Sequence, residues 1–511
     1  MDRNTPLATA LLTPEEMGEA DRLTIEAGTP GIDLMIQAGR AVFDRAIAGY
    51  PEAELIHVFC GMGNNGGDGF VVAELLRQAG RRVRVSCLGD PADLTGDAAQ
   101  ANRQWRGDIR PFHPGELDDA DLAIDAMFGA GLSRDIEGKA AEWINQINAS
   151  DVPVLAVDLP SGICGLTGKM RGTAIAAEET VTFFRKKPGH LLNPGKTYSG
   201  EITLSDIGIE DDVFDKIHID IFENAPGLWA AEWPGYAPDG HKYGRGHTIV
   251  LTGDALSTGA SRLTATAALR VGAGLTSIAG PKAALMVHAA HLTAIMLRQA
   301  ESADDLKSLL NDPRMNSVAA GPGLGTDDKA RRALDAILES EAALTLDADA
   351  ITLLADTPEK SFERLGARDQ MTVLTPHAGE FGRLFGSIDD SRSKLDVTRE
   401  AAARSGAVVV LKGGDTVIAH PNGKAAINGN APPWLATAGS GDVLTGIIAG
   451  LRAQGMSAFD AACAGVWLHG EAGKRCGAYM VSEELERGLR EVLEEDSQDW
   501  LVHGWLERKD G

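Results

Sequence analysis

Two consecutive α/β domains, each built on a mainly parallel sheet with helices on both faces, are what the sequence predicts. Three observations carry this. Short apolar, β-branched runs alternate with longer helical stretches along most of the chain. The alternation frays once, between Ile221 and Arg245, where Pro, Gly and aromatic residues concentrate. A length of 511 residues suits two or three domains at about 100–200 residues each. The expected division is residues 1–222, a linker and entry to the second domain over 223–245, and residues 246–511.

The elements follow in order. Thr13-Pro14-Glu15-Glu16 places an N-cap, an N1 proline and an N3 glutamate, opening a helix that Gly28 closes. Strands are expected at 55–60, 83–88, 122–126 and 154–157, with helices such as 70–79 and 139–148 between them, which makes a Rossmann-like three-layer domain. A second series begins at 248–252 and continues at 275–279, 317–320, 344–347, 373–375 and 407–411, separated by Ala-rich helices such as 261–271. No fixed-period repeat relates the halves, so each is expected to bring its own chemistry.

Composition removes several function classes. Hydrophobic residues at 44% and charged residues at 24% are globular values and disfavour disorder. Lys and Arg number 48 against 73 Asp and Glu, a formal charge of −25. That excess argues against nucleic-acid binding, which needs a basic surface, so any phosphorylated ligand is held locally. Cysteines 60, 87, 164, 463 and 476 are odd in number and form no CxxC, which fits neither a disulfide framework nor zinc and points to a reducing cytoplasm. No apolar run reaches the length of about 18 that a membrane helix needs.

After the strand at 55–60 comes Gly61-Met62-Gly63-Asn64-Asn65-Gly66-Gly67-Asp68-Gly69 and then a helix. GxGxxG occurs at Gly61, Gly63 and Gly66, but the acidic ribose clamp is missing: Ser86, Cys87 and Leu88 stand where it is due. Asn64, Asn65 and Asp68 also carry more side-chain functionality than a bare phosphate cradle uses. Asp125 ends one strand, and Asp158 ends another just before Leu159-Pro160-Ser161. In a parallel sheet these ends share one edge, where oxygens can hold a cation and a free carboxylate can move protons. A lone strand-end Asp is more often a cap or turn former, and a Gly/Asn loop can satisfy only itself.

GMGNNGGDG, DAMFGAGLSRDIEG and AVDLPSGICGLTG together resemble the epimerase domain of the YjeF family, which acts on hydrated NADH and NADPH, over about residues 1–222. The resemblance implies that Asn64, Asn65, Gly66, Gly67 and Asp68, with Gly129, Ala130, Gly131, Leu132, Ser133, Arg134 and Asp135, bind the hydrated dinucleotide. It further implies that Asn65, Asp125 and Ser161 hold potassium (K+) and that Asp158 is the acid/base residue.

In the second half, Ala438-Gly439-Ser440-Gly441-Asp442 leads into a helix, so small residues and helix-start N–H groups face an anion there, with Asp442 beside the reacting oxygen. The same segment also reads as an ordinary helix cap. Leu411-Lys412-Gly413-Gly414-Asp415-Thr416 adds a lysine and two glycines at a strand end. GxGD before a late helix resembles the ribokinase-like superfamily, so a vitamin or sugar kinase fused to a dinucleotide-binding module is an alternative. With HKYGRGH at 241–247, TGASRLTATAALRVGAGL at 258–275, AAGPGLG at 319–325 and TPHAGE at 375–380, the half is similar to ADP-dependent NAD(P)H-hydrate dehydratases.

That likeness implies a ribokinase-like fold, with Ala260, Gly323, His377 and Asp442 at the hydrated dinucleotide. Lys412, Gly413, Gly414, Asp415, Thr416 and Gly441 would lie at ADP, and Mg2+ would serve this half. On its own residues His377 reads as an ordinary structural histidine, and Asp347 and Asp349 as either water-mediated Mg2+ contacts or helix caps. The expected protein is a homo-oligomer that repairs NAD(P)H hydrated at C6. Its partners are small molecules, with no nucleic acid and no membrane. A dehydrogenase and a catalytically inert dinucleotide scaffold are the other rivals.

Overall fold

In the computed structural model, which describes residues 5–235, 241–389 and 391–495, strands buried on both faces account for the unbroken apolar runs. The first sheet contains β1 (Leu55–Cys60), β2 (Arg82–Cys87), β3 (Leu122–Ala126), β4 (Val154–Val157), β5 (Glu179–Phe183) and β6 (Glu201–Ser205). Its order is β2-β1-β3-β4-β5-β6, with every neighbouring pair parallel. Every position of β1, β3 and β4 is buried. The strand expected at 83–88 begins at Arg82, and β5 and β6 were not expected at all. Their ETVTF and EITLS runs mix polar and apolar residues because β6 is a partly exposed edge.

Helix α1 (Pro14–Glu26) starts with the expected capping box: Thr13 Oγ1 accepts from the Glu16 N–H at 3.2 Å, and Glu16 Oε2 accepts from the Thr13 N–H at 2.8 Å. Helix α2 (Gly31–Gly49) follows. Helix α3 (Asn64–Gln78) starts inside the glycine loop rather than at residue 70. Packing explains this start. A Cβ on Gly66 would lie 2.0 Å from the Gly61 carbonyl oxygen, so only glycine lets the first turn close onto the end of β1.

The second sheet has ten strands: β7 (Ile221–Glu223), β8 (His247–Leu251), β9 (Leu275–Gly280), β10 (Met296–Gln299), β11 (Ser317–Ala320), β12 (Ala343–Leu346), β13 (Val373–Leu374), β14 (Val408–Leu411), β15 (Val417–Ala419) and β16 (Ala425–Ile427). They run in the order β10-β9-β8-β11-β12-β13-β14-β15-β16-β7. From β10 to β14 the pairs are parallel, and the β14-β15 and β15-β16 pairs are antiparallel. All six expected strands are present. β7, β10, β15 and β16 were not expected: β10 is a partly exposed edge strand, and the other three are three-residue strands set by their pairing.

The chain separates into one unit of residues 10–221 and another of residues 1–9 with 222–511. This division differs from the expected one in two respects. Residues 5–9 of the expected first domain belong to the second unit. The segment 223–245 is no free linker over its described part, while 236–240 lie outside the described residues, as does the acidic tail 496–511. The cause is apolar burial. Trp229 is completely buried and its ring stands 5.8 Å from that of Trp233 and 5.7 Å from that of Trp467. The Asn224 amide donates to Asn428 Oδ1 at 2.9 Å and to the Cys463 carbonyl at 2.8 Å. Trp229→Ala is therefore expected to cost the second unit about 3–5 kcal/mol. Urea titration would read this as an earlier midpoint, and an unchanged midpoint would show that the segment is dispensable.

Candidate active sites

In the first unit a cavity of about 740 Å³ opens at the carboxyl ends of the strands. Its wall includes residues of α1 and α2, Asn64, Asn65 and Asp68 at the start of α3, residues 129–134 after β3, Asp158 and Lys187. Of the expected binding residues, Gly66 and Gly67 lie behind this wall and Asp135 lies outside it. The glycines are needed for packing: a Cβ on Gly67 would come 2.6 Å from the Met35 side chain. The open N-terminus of α3, which has no side-chain cap, presents N–H groups suited to a phosphate.

Asp158 is the most constrained residue of this site. Its φ of +63° lies in the left-handed region, unusual for a residue with a side chain. Hydrogen bonds hold it there. Its N–H donates to the Val181 carbonyl at 2.7 Å, and its carbonyl accepts from His190 Nε2 at 2.8 Å. Because His190 Nδ1 accepts from the Lys187 N–H at 2.9 Å, the ring proton belongs on Nε2. Carboxylate Oδ1 accepts from Lys187 Nζ at 2.6 Å and Thr182 Oγ1 at 3.1 Å, and Oδ2 accepts from the Ala130 N–H at 3.0 Å. Burial pushes the carboxyl upward, but the charge and hydrogen bond of Lys187, itself 1% exposed, prevail and hold it at about 2.

The other carboxyls behave differently. Burial raises Asp68 well above the usual carboxylate range, reinforced by the charges of Asp158 and Asp21. Burial raises Asp125 to about 6, although Ser161 donates to it through its N–H at 2.7 Å and its hydroxyl at 2.6 Å. The Asn65 amide nitrogen is buried without a partner. A Cβ on Gly129 would stand 3.1 Å from both Asn65 Oδ1 and Asp158 Oδ2, so the glycine loop and the Asp158 turn converge on one point.

In the second unit, helix Ser440–Ala453 begins at Gly439, whose φ is +86° and where a Cβ would meet Leu263 at 2.8 Å. Lys412 Nζ, at the end of β14, donates to Asp347 Oδ1 at 2.8 Å, and Thr445 Oγ1 donates to Asp347 Oδ2 at 2.8 Å. A Cβ on Gly441 would lie 3.3 Å from Lys412 Nζ. The Asp442 carboxyl accepts no hydrogen bond among the described residues. Burial, then the charge of Asp347, raises it to about 6 against the opposing pull of Lys412. Thr264 Oγ1 lies 3.0 Å from both the Asp442 and the Ala260 carbonyls, and Gly323, at φ +64°, packs against Ala260.

Ala260, Gly323, Lys412, Gly441 and Asp442 are thus drawn together. His377 is not joined to them: exposed, it caps its own helix Ala378–Phe385 through Nδ1. Asp415 turns to Lys394 at 2.7 Å, and Thr416 closes onto Gly413 at 2.8 Å, which leaves the 412–416 loop to act through its backbone. Asp349 accepts from the Gly325 N–H at 2.8 Å, whereas Asp347 makes no side-chain cap bond. Sequence reasoning missed Lys187, Thr182, His190 and Asp21. Thr182 lies in, and Lys187 and His190 follow, a strand that went unrecognised, and FFRKKPGH reads as charged surface.

Fold and sites together define a two-part α/β enzyme, with a cavity at one sheet edge and a lysine, aspartates and an open helix start at the other. Residues 31–189 match the family described as YjeF-related protein N-terminus, and residues 248–488 match the family NAD(P)H-hydrate dehydratase. The chain is 36% identical to the bifunctional NAD(P)H-hydrate repair enzyme Nnr of Coxiella burnetii, over 94% of this chain and 97% of that protein. It is 34% identical to that of Escherichia coli, over 91% and 90%. The crystal structure of an ADP/ATP-dependent NAD(P)H-hydrate dehydratase from Bacillus subtilis is similar at 26% identity and a TM-score of 0.46, covering 53% of this chain and 97% of that one. The chain belongs to the family of bifunctional NAD(P)H-hydrate repair enzymes, with an epimerase module followed by a dehydratase module.

The Asp158–Lys187 pair makes a stability prediction. An unfolded aspartate titrates near about 3.9, so a folded value of about 2 adds stability above about pH 4 that is lost as pH falls toward about 2. Lys187→Met leaves a buried carboxylate without its counter-charge, an expected loss of about 3–5 kcal/mol. Urea midpoints at neutral pH and acid titration followed by circular dichroism would check it. A mutant as acid-resistant as the parent would show that the pair contributes nothing.

Proposed function

We propose that the first unit interconverts the R and S forms of NADH and NADPH hydrated at C6, and that the second removes water from the S form using ADP, giving NAD(P)H, AMP and phosphate. The observation that carries the reading is the contrast between two aspartates. Asp158 is clamped and ionised in a cavity, while Asp442 is unpaired beside an open helix start and raised to about 6.

In the first site, Asn64, Asn65 and Asp68 with residues 129–134 bind the dinucleotide, and α3 N–H groups take its phosphates. The C6 oxygen departs as the ring nitrogen lone pair forms a cationic double bond, and a water adds to either face. Asp158, held as the carboxylate, faces that cation and accepts the proton of the entering water. Asn65, Asp125 and Ser161 fit a potassium ion. Turning over the unpartnered Asn65 amide would offer an oxygen, which would add to the buried Asp125 carboxylate and Ser161 hydroxyl as donors of the type this ion takes. The ion supplies counter-charge to the carboxylate when bound.

In the second site, the backbone of residues 412–416, Gly441 and the helix start hold the nucleotide phosphates, with Lys412 beside Asp347. Asp442 takes the proton of the C6 hydroxyl as its oxygen attacks the β-phosphorus of ADP. A value near neutrality suits a general base. Phosphate then leaves C6 with its electron pair where hydroxide would not, and loss of a C5 proton to solvent forms the ring double bond of NAD(P)H. Mg2+ would supply counter-charge to the nucleotide phosphates at this site.

Incubating the protein with mixed hydrate epimers and ADP, while following reduced-nicotinamide absorbance, tests the reading. Full recovery of NAD(P)H from both epimers is expected. A stable phosphorylated product would favour the kinase alternative. Asp158→Asn should lower epimerisation by about 10²- to 10⁴-fold and leave S-hydrate dehydration intact, and equal loss of both would indicate misfolding. Asp442→Asn should abolish dehydration while ADP still binds by calorimetry, because the phosphate-holding backbone groups survive. A mutant that dehydrates near the parental rate would reduce Asp442 to a helix residue.

A further inference from the structure

Helix α1 places Asp21 in the wall of the first cavity, alongside Met17 and Gly18. This helix lies outside the residues matched by the family model, and neither the glycine loop nor the strand ends give it a role. The Asp21 carboxyl accepts no hydrogen bond and forms no ion pair among the described residues. It shares the cavity with Asp68 of α3, Asp158 after β4 and Lys187 after β5, while Asp97 and Arg134 also line the wall. Three of these carboxyls, Asp21, Asp68 and Asp158, act on one another electrostatically, and Lys187 already belongs to Asp158. A desolvated site with more carboxyls than cations keeps protons on some of them.

The first site needs an acid as well as a base. The departing C6 oxygen leaves as water only if a proton reaches it, and Asp158, fixed as the carboxylate, has none to give. We propose that Asp21 is the proton donor of the first site, giving its carboxyl proton to the departing C6 oxygen while the Asp158 carboxylate takes one from the water that adds to the opposite face. The C6–O bond breaks with its electron pair on oxygen, which leaves as water, and the ring nitrogen lone pair forms the double bond to C6. The entering water then forms the new C6–O bond and returns that pair to nitrogen. One water leaves and one enters, and the proton passes from Asp158 back to Asp21 through solvent before the next turnover.

Of Asp21 and Asp68, the two carboxyls that act on Asp158 without a partner of their own among the described residues, Asp21 suits the task better. Burial raises it to about 6, with Lys187 lowering and Asp158 raising it, so both its forms are accessible near neutrality. Asp68 is raised well above the usual range and keeps its proton. Dividing acid and base between carboxyls in opposed environments is a recurrent solution in enzymes.

The inference rests on the epimerase reading of this cavity, and its test separates the two. Epimerisation of the R hydrate is measured on the full chain across pH, with S-hydrate dehydration as the internal control. The parental rate is expected to fall as pH rises through about 6, because the protonated form is the active one. Asp21→Asn should lower the rate by about 10²- to 10⁴-fold and abolish that limb, and Asp21→Glu should restore it in part, with dehydration unchanged in both. An Asp21→Asn protein with the parental rate and limb overturns the inference. So does a flat parental profile, or a glutamate variant as inactive as the asparagine one, since either marks a merely structural role. A parental protein that interconverts nothing overturns the epimerase reading itself.

Discussion

A buried ammonium group and a carboxylate held in a left-handed turn organise the first unit. Lys187 could not remain 1% exposed without Asp158, and Asp158 could not stay ionised in the cavity without Lys187. The pair is reinforced through the backbone. His190 donates to the Asp158 carbonyl and accepts from the Lys187 N–H, so the ion pair and the two peptide groups form one closed circuit. Residues from the ends of β4 and β5 thereby become a single rigid object at the edge of a parallel sheet, the position where ligands bind in such folds. Backbone strain of this kind persists only where surrounding bonds over-determine it.

The second unit reaches a comparable edge by another route. Its charged groups are spread over different elements, with Asp347 after β12, Lys412 after β14 and Asp442 on the first turn of a helix. Lys412 and Thr445 occupy both oxygens of Asp347, leaving Asp442 as the carboxyl without a partner. A paired aspartate beside an unpaired one raises the latter through like-charge repulsion and burial without any ion pair of its own. The two sites thus tune aspartates in opposite directions: direct contact with a lysine lowers one, and a neighbouring carboxylate whose lysine is already engaged raises the other.

Much of this was legible in the sequence because parallel strands buried on both faces leave plain apolar runs, and because the motifs at their ends are contiguous. The loop from Gly61 to Gly69, the Asp125 and Asp158 strand ends, and the segment from Gly439 to Asp442 fall where the alternation puts them. The missed elements share a physical cause. β6 is a half-exposed edge, and β7, β15 and β16 are three-residue strands whose pairing is set by distant neighbours. Lys187 was illegible for a different reason: its burial depends on a partner 29 positions away, and nothing local distinguishes it from Lys186. The segment 223–245 misled because Pro and Gly mark irregular backbone, not exposure, and its tryptophans pack into the second unit.

Net charge bears on the same sites. A chain of formal charge −25 repels the phosphorylated substrates proposed for it at long range, so the global field contributes nothing favourable to capture. Attraction must arise within the last few ångströms, from helix-start N–H groups, glycine-loop backbone and Lys412. Those groups are fixed dipoles and a single cation, and they retain strength because they are partly desolvated, whereas the repulsive surface charges are screened beyond about 8–10 Å at physiological salt. Small residues at the anion-facing turns follow from this requirement: where attraction is short-range, the backbone must come close, and Gly129 and Gly441 are the positions where a Cβ would crowd the groups that do the binding.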